Sequence, residues 1–287
     1  MRKHTMGLLA MAAASTLVLS ACGSAEVGGE PDGGGTATAG GDGGGDGITI
    51  GIKYDQPGLG LQDGAEYTGF DVDVARYVAN ELGYSEDQIT FKETPSANRE
   101  AMLQNGDVDM IFATYSITDD RKEVIDFAGP YFIAGQDLLV AADNTDITGP
   151  EDLEGKNLCS VTGSTSAEKI KTDYAEGVQL LERPGYAECV TALSAGQVDA
   201  VTTDDIILAG LAAANGDGNL KVVGAPFSEE QYGVGLPKDS DQCEAINEAI
   251  TKMIDDGAWE EAVATNTEGA DYTPNADLNP PKPADCA

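Results

Sequence analysis

"LQNGDVD", residues Leu103 to Asp109, and "LSAGQVD", residues Leu193 to Asp199, share the pattern L-x-x-G-x-V-D ninety residues apart. In each copy a helix runs into a glycine suited to the left-handed C-terminal position, and a strand starts at once. A strand followed by a Gly/Ser-containing loop precedes each copy, in "IGIKYDQPG" and in "NLCSVTGSTS". The recurrence predicts two similar lobes. Around the first copy the order is strand "ITIGIKY", helix "DVDVARYVANELG", strand "ITFKET", helix "NREAMLQNG" and buried strand "VDMIFATY". That βαβαβ order predicts a largely parallel sheet with helices on both faces, and ligands bind such sheets beyond the carboxyl ends of the strands. Lobe one is expected over residues 48–138 and 233–287, and lobe two over residues 142–228. "QYGVGLPK" returns the chain to lobe one, where "CEAINEAITKMIDDGAWEEAV" supplies the closing helices. Two crossings between α/β lobes make a hinge over a closing cleft.

The N-terminal stretch has a separate logic. Arg2 and Lys3 precede an apolar run from Gly7 to Leu19, too short to span a bilayer stably, so residues 1–21 are expected to be a secretory signal. "LSAC" is similar to a bacterial lipobox, which implies acylation of the Cys22 thiol and cleavage just before it. An ordinary cleaved signal with a chance cysteine is the alternative. Twelve of the 25 residues after Cys22 are glycine, so residues 22–47 read as a lipidated cysteine and a flexible tether reaching roughly 25–30 Å. "GGDGGGDG" faintly resembles calcium-binding repeats, but a single imperfect copy reads as linker, and no metal site is expected.

Charge and composition exclude several function classes. The chain carries 50 acidic and 16 basic residues, and removal of residues 1–21 takes away Arg2 and Lys3 and no acid, moving the net charge from −34 to −36. Nucleic acid is excluded as a partner. The single histidine, His4, lies in the signal, so a mature chain has no histidine for a catalytic triad, a zinc site or a general base. With Cys22 set aside, Cys159, Cys189, Cys243 and Cys286 allow three disulfide pairings; sequence order favours Cys159–Cys189 with Cys243–Cys286. No C-x-x-C spacing suggests a metal or redox pair, and no cofactor is expected.

Candidate cleft residues lie at the strand ends. In "SITDDR", Arg121 is a bidentate donor suited to a carboxylate, with Ser116 and Thr118 as further donors; a surface arginine paired with Asp119 or Asp120 is the alternative. "TGSTS" opens a helix whose free N–H groups near Ser164–Ser166 favour an anion, or whose serine simply caps it. Asp204 and Asp205 suit an ammonium, or cap a helix themselves.

Taken in order and spacing, "GFDVDVARYVANELG", "SITDDR" with "VIDFAGPYF", "VTGSTS" and "GQVDAVTTD" resemble the polar amino-acid substrate-binding proteins of ATP-driven importers, the family 3 extracellular solute-binding proteins. The resemblance runs from Ile48 to about Trp259. It implies a two-lobed, type II periplasmic-binding-protein-like α/β fold with a hinge and interlobe cleft, and no enzymatic activity. It further implies Arg121 on a ligand α-carboxylate with help from Ser116, Thr118, Ser164 and Thr165, and Asp204 on the α-ammonium. The family's first-loop aromatic has no clear counterpart, since "KYDQPGLG" offers only Tyr54 before Pro57 and glycines. "SANR" is similar to the S-x-N-R stretch of glutamate/aspartate-binding members, which implies that Ser96, Arg99 and the nearby Lys53 meet a distal carboxylate; an Arg99 turned toward Glu100 or Glu93 is the alternative. The whole set resembles actinobacterial glutamate-binding lipoproteins. The implied protein is a monomeric L-glutamate receptor, lipid-anchored on the outer face of the cytoplasmic membrane, that serves an ABC permease. A glutamine or broad polar amino-acid receptor, an enzyme on the same fold, and a ligand sensor are the alternatives.

Overall fold

Ile48, Ile50 and Ile52 place β-branched side chains on β1 (Ile48–Ile52), all three buried, as suits a strand with neighbours on both sides. The computed structural model describes residues 47–174, 177–215 and 217–286; the expected signal, the lipidation site Cys22 and residues 22–46 of the tether lie outside them. After β1 the loop "YDQPGLGLQDGAEYT" folds into a three-stranded antiparallel meander, β2 (Asp55–Gln56), β3 (Gly60–Asp63) and β4 (Glu66–Thr68). Then α1 (Phe70–Glu81) buries Phe70, Val74, Val78 and their neighbours at helical spacing. β5 (Ile89–Glu93), α2 (Arg99–Gln104), β6 (Met110–Ile111), the single turn α3 (Asp119–Lys122) and β7 (Asp126–Ala134) complete this part of lobe one.

Lobe two repeats the scheme. It holds β8 (Gln136–Ala141), β9 (Asn157–Val161), α4 (Thr165–Asp173), β10 (Gln179–Arg183), α5 (Tyr186–Ser194), β11 (Ala200–Asp204), α6 (Asp205–Asn215) and β12 (Leu220–Val222). The chain returns through β13 (Glu230–Leu236) to α7 (Cys243–Asp255) and α8 (Ala258–Asn266). The sheets run β5-β1-β6-β13-β7 and β10-β9-β11-β8-β12.

Both sheets are mixed rather than largely parallel. β1 pairs in parallel with β5 and β6, but β13 is antiparallel to β6 and β7, and β8 is antiparallel to β11 and β12. The physical reason is the double crossing: strands that carry the chain between lobes enter each sheet in reverse. β8 also corrects the expected end of lobe one at residue 138, because Leu138 pairs with Thr202 in the second sheet. β13 rejoins the first sheet from Glu230, ahead of the expected residue 233. The crossings touch each other: Gln136 N donates to Ser228 Oγ (3.0 Å) and Phe227 N to Gln136 O (2.9 Å). The expected strand over "VDMIFATY" shortens to two paired residues, because the chain turns at Thr114, a non-glycine residue with φ 45°.

The repeated motif does the same work in both lobes. Gly106 (φ 70°) and Gly196 (φ 69°) end their helices with N–H bonds to Leu103 O and Leu193 O. The terminal aspartates then clamp a strand of their own sheet, β1 in one lobe and β9 in the other. Asp109 Oδ2 accepts from Thr49 N and Asp199 Oδ2 from Asn157 N, each at 2.7 Å.

The disulfides are Cys159–Cys189, tying β9 to α5, and Cys243–Cys286, pinning the C-terminal tail to α7. The tail covers the edge strand β7: Ile133 bonds Asn279 through both backbone groups, and Ala284 N donates to Gly129 O. Among the described residues no helix is long and apolar enough to cross a membrane. Replacing Cys243 and Cys286 together by serine is expected to lower the unfolding free energy by about 4 kcal/mol, from the loop of 43 residues the bond closes. Urea midpoints measure this, and an unchanged midpoint would show that the strap adds no stability.

Candidate functional site

Lobe one supplies the cations. Pro95 leads into a tight turn over Ser96–Asn98, and Arg99 opens α2 directly behind it. Arg99 is 2% exposed; its Nη1 donates to Ala113 O (2.9 Å), while its Nε has no partner. Lys53, at the end of β1, is equally buried and donates from Nζ to Ser96 Oγ (3.1 Å). Among the described residues no carboxylate lies within ion-pair distance of either cation. Burial, reinforced by Arg99, lowers the Lys53 pKa to about 8.

Behind them Asp71 holds the strained turn. Its carboxylate accepts from Thr114 N (2.9 Å) and Tyr131 OH (2.8 Å), and burial pushes its pKa up to about 6. Arg121, on the one-turn helix capped by Thr118 Oγ1, donates from Nη1 to Ser116 O (2.7 Å) and pairs through Nε with Glu100 (3.2 Å). Burial, then the neighbouring Arg99, lowers its pKa to about 10.

Lobe two supplies a carboxylate and hydroxyls. Asp204 ends β11, fully buried; Oδ2 accepts from Tyr232 OH (2.6 Å) and Oδ1 has no partner. Burial, then Glu230, pushes its pKa well above the usual carboxylate range. An ammonium placed at Oδ1 would restore the charged form. Ser164 caps α4, accepting from Ala167 N (3.0 Å), and also lines the cavity.

The lobes meet around these groups. Arg121 Nη2 donates to Gly163 O (3.1 Å), Ser116 Oγ and Thr165 Oγ1 lie 3.3 Å apart, and Asp55 Oδ2 accepts from Tyr186 N (2.8 Å) at the start of α5. Between them lies a small, nearly filled cavity lined by Ser96, Arg99, Thr114, Ser164, Thr165, Ser166, Tyr186, Asp204 and Ile207. Five residues singled out from sequence thus share one cavity. Lys53 stands one hydrogen bond behind Ser96, while Ser116 and Arg121 bridge the lobes and are not among the lining residues. Thr118 is placed as a helix cap, and Asp205 is the first residue of α6, accepting from Ile206 N (2.7 Å) and Gly135 N (3.4 Å). Arg121 pairs with Glu100, not with Asp119 or Asp120, and Arg99 pairs with neither Glu93 nor Glu100.

Sequence reasoning missed Thr114, Tyr186, Asp71 and Tyr232. No local pattern marks Tyr186 or Tyr232, because their partners lie on the other lobe. Tyr54 turns away toward Tyr67 and Phe91 O. Among the described residues, no group of three or more histidines, cysteines or acids is placed to hold a metal.

Three comparisons bear on this arrangement. The sequence profile of the bacterial extracellular solute-binding proteins, family 3, matches residues 48–267. The chain is 46% identical over 262 residues to the glutamate-binding protein GluB of Corynebacterium efficiens, covering 87% of this chain and 86% of that protein. It is 41% identical over 220 residues to the ABC transporter glutamine-binding protein GlnH of Bacillus subtilis, covering 75% and 79%. Among solved structures, an ancestral arginine-binding protein bound to arginine superposes with a TM-score of 0.71 at 33% identity, over 76% of this chain and 97% of that one.

Closure depends on a glycine. Gly163 has φ 77°, and a Cβ there would stand 2.7 Å from Ala97 Cα on the opposite lobe. Gly163→Ala is expected to weaken binding of the amino-acid ligand by about tenfold or more, the effect of overpacking a rigid contact. Calorimetry measures this, and unchanged affinities would mean that binding does not require this approach of the lobes.

Proposed function

The chain belongs to the bacterial extracellular solute-binding proteins, family 3, a family of receptors and not of enzymes, and we propose that within it this protein captures an acidic amino acid, L-glutamate, for an ABC importer. One observation carries the reading: Arg99, buried with an unpartnered Nε and no carboxylate within ion-pair distance among the described residues, shares a cavity with the unpartnered Oδ1 of Asp204. A ligand with an ammonium at Asp204 and a carboxylate at Arg99 and Ser96, with Lys53 behind, would satisfy both. The α-carboxylate is then assigned to Arg121, with Ser116, Ser164 and Thr165 around it and Thr118 fixing its turn. A side-chain amide would turn an NH₂ group toward these donors and leave them unpaired, which disfavours glutamine. The glutamate-binding relative supports the same choice. Ligand contacts to both lobes favour the closed state by differential affinity. The lipobox-like "LSAC" supports anchoring through Cys22 on the outer face of the cytoplasmic membrane, with the ABC permease as partner.

Calorimetry with protein freed of bound ligand tests this. Arg121→Ala is expected to abolish binding of both glutamate and glutamine, whereas Arg99→Ala weakens glutamate by about a hundredfold, in the range for loss of a buried charged pair, and glutamine much less. Equal losses for both ligands in Arg99→Ala would refute the side-chain role. The preference for glutamate over glutamine should also fall as pH rises above about 8, where Lys53 loses its proton. The sign follows because a distal carboxylate favours protonated Lys53, and the α-groups are common to both ligands and cancel in the ratio. A ratio flat to pH 10 would remove Lys53 from the site.

A further inference from the structure

Tyr115 lies immediately before Ser116, fully buried, and its ring lies under two guanidiniums: Arg99 Cζ is 4.0 Å from the ring centroid and Arg121 Cζ 4.8 Å. The Arg99 charge is the second cause, after burial, of the lowered Arg121 pKa. Glu100 compensates Arg121. For Arg99 the described residues offer no carboxylate at ion-pair distance, only the Ala113 carbonyl and the electron-rich face of this ring.

The ring itself cannot drift. Phe127 meets it edge-on with centroids 5.0 Å apart, Leu103, Ile111 and Ile125 complete its apolar surround, and a Cβ at Gly235 would stand 2.7 Å from its Cε1. The Tyr115 hydroxyl makes no hydrogen bond of normal geometry, with Glu100 as the acid beside it. A hydroxyl so poorly paired adds little to stability, so the aromatic face is the feature that meets both cations.

We propose that Tyr115 is a positioning residue that fixes the Arg99 and Arg121 guanidiniums relative to each other and thereby sets the cleft's specificity for a ligand with two carboxylates. An aromatic platform has few rotatable bonds and is held on its edges, so the separation between the two carboxylate readers is fixed before a ligand arrives. The specificity half of this proposal rests on the acidic-amino-acid reading of the site; the positioning half does not.

The test is a double-mutant cycle between Tyr115→Leu and Arg99→Ala, read by calorimetry with L-glutamate and L-glutamine, with Tyr115→Phe as the ring-preserving variant. Tyr115→Leu is expected to weaken glutamate about thirtyfold, the scale of a desolvated cation–π contact, and glutamine less. Tyr115→Phe restores glutamate binding to within about threefold of the unaltered protein. In the Arg99→Ala background the leucine substitution should cost less, because only Arg121 is left for the ring to position. Equal losses in both backgrounds, or a phenylalanine variant as damaged as the leucine one, would overturn the proposal. Arginine Nε–H resonances separate this from failure of the glutamate reading. A ring-current shift of the Arg99 signal, kept in Tyr115→Phe and lost in Tyr115→Leu, supports positioning even if the unaltered protein prefers glutamine; an unshifted Arg99 signal overturns it whichever ligand is preferred.

Discussion

The buried guanidinium of Arg99 is the constraint around which the site is organised. A charge taken out of water is tolerated only when paired or fully hydrogen-bonded. Arg99 has one carbonyl, one aromatic face and an unpartnered Nε. Beside it stands Lys53, whose depressed pKa records the same cost. Across the cavity Asp204 carries the complementary debt of charge, with one oxygen bonded by Tyr232 and one left open. Neither lobe relieves the other directly, and a small zwitterion with an extra carboxylate relieves both. In a chain with 50 acidic and 16 basic residues, two buried cations without a carboxylate at ion-pair distance among the described residues stand side by side here.

The fold exists to bring those groups to one place and release them again. In each lobe a strand of the sheet is clamped by the aspartate of the repeated motif, β1 by Asp109 and β9 by Asp199. The rigid sheets carry their loops as units, so motion is left to the crossings at Gly135 and at Pro226–Ser228. The contacts that close the cleft are short and few. They include Arg121 to Gly163, Ser116 to Thr165, Asp55 to Tyr186 and Tyr232 to Asp204. The relative that superposes on this fold with arginine bound illustrates that the scaffold alone does not choose the ligand; the side chains in the cleft do.

Much of this was legible in the sequence where the signal is local. The L-x-x-G-x-V-D echo announced two lobes because a left-handed glycine must end the helix and the strand follows at once. "SITDDR" pointed to the cleft as a strand-end loop carrying a bidentate donor, and "SANR" did so through its resemblance to glutamate/aspartate-binding members. The crossing into lobe two was misplaced for an equally physical reason. β7 and β8 are separated in the chain by Gly135 alone, and nothing in their composition says which sheet each joins. The antiparallel strands were hidden too, since strand direction within a sheet is set by topology and not by periodicity. Tyr115, Tyr186 and Tyr232 read as ordinary core aromatics, and they are buried as such; their roles come from partners far away in sequence. Asp71 was part of a recognisable helix, but its bond to Thr114 N depends on a turn that no pattern foretold.

The central claim is that closure is driven by completing buried charges with a second carboxylate. Small-angle scattering of the protein freed of ligand, then with saturating glutamate and with glutamine at the same concentration, tests it most directly. The account predicts an extended form that contracts with glutamate and much less with glutamine. A protein already contracted without ligand, or contracted equally by glutamine, would contradict it.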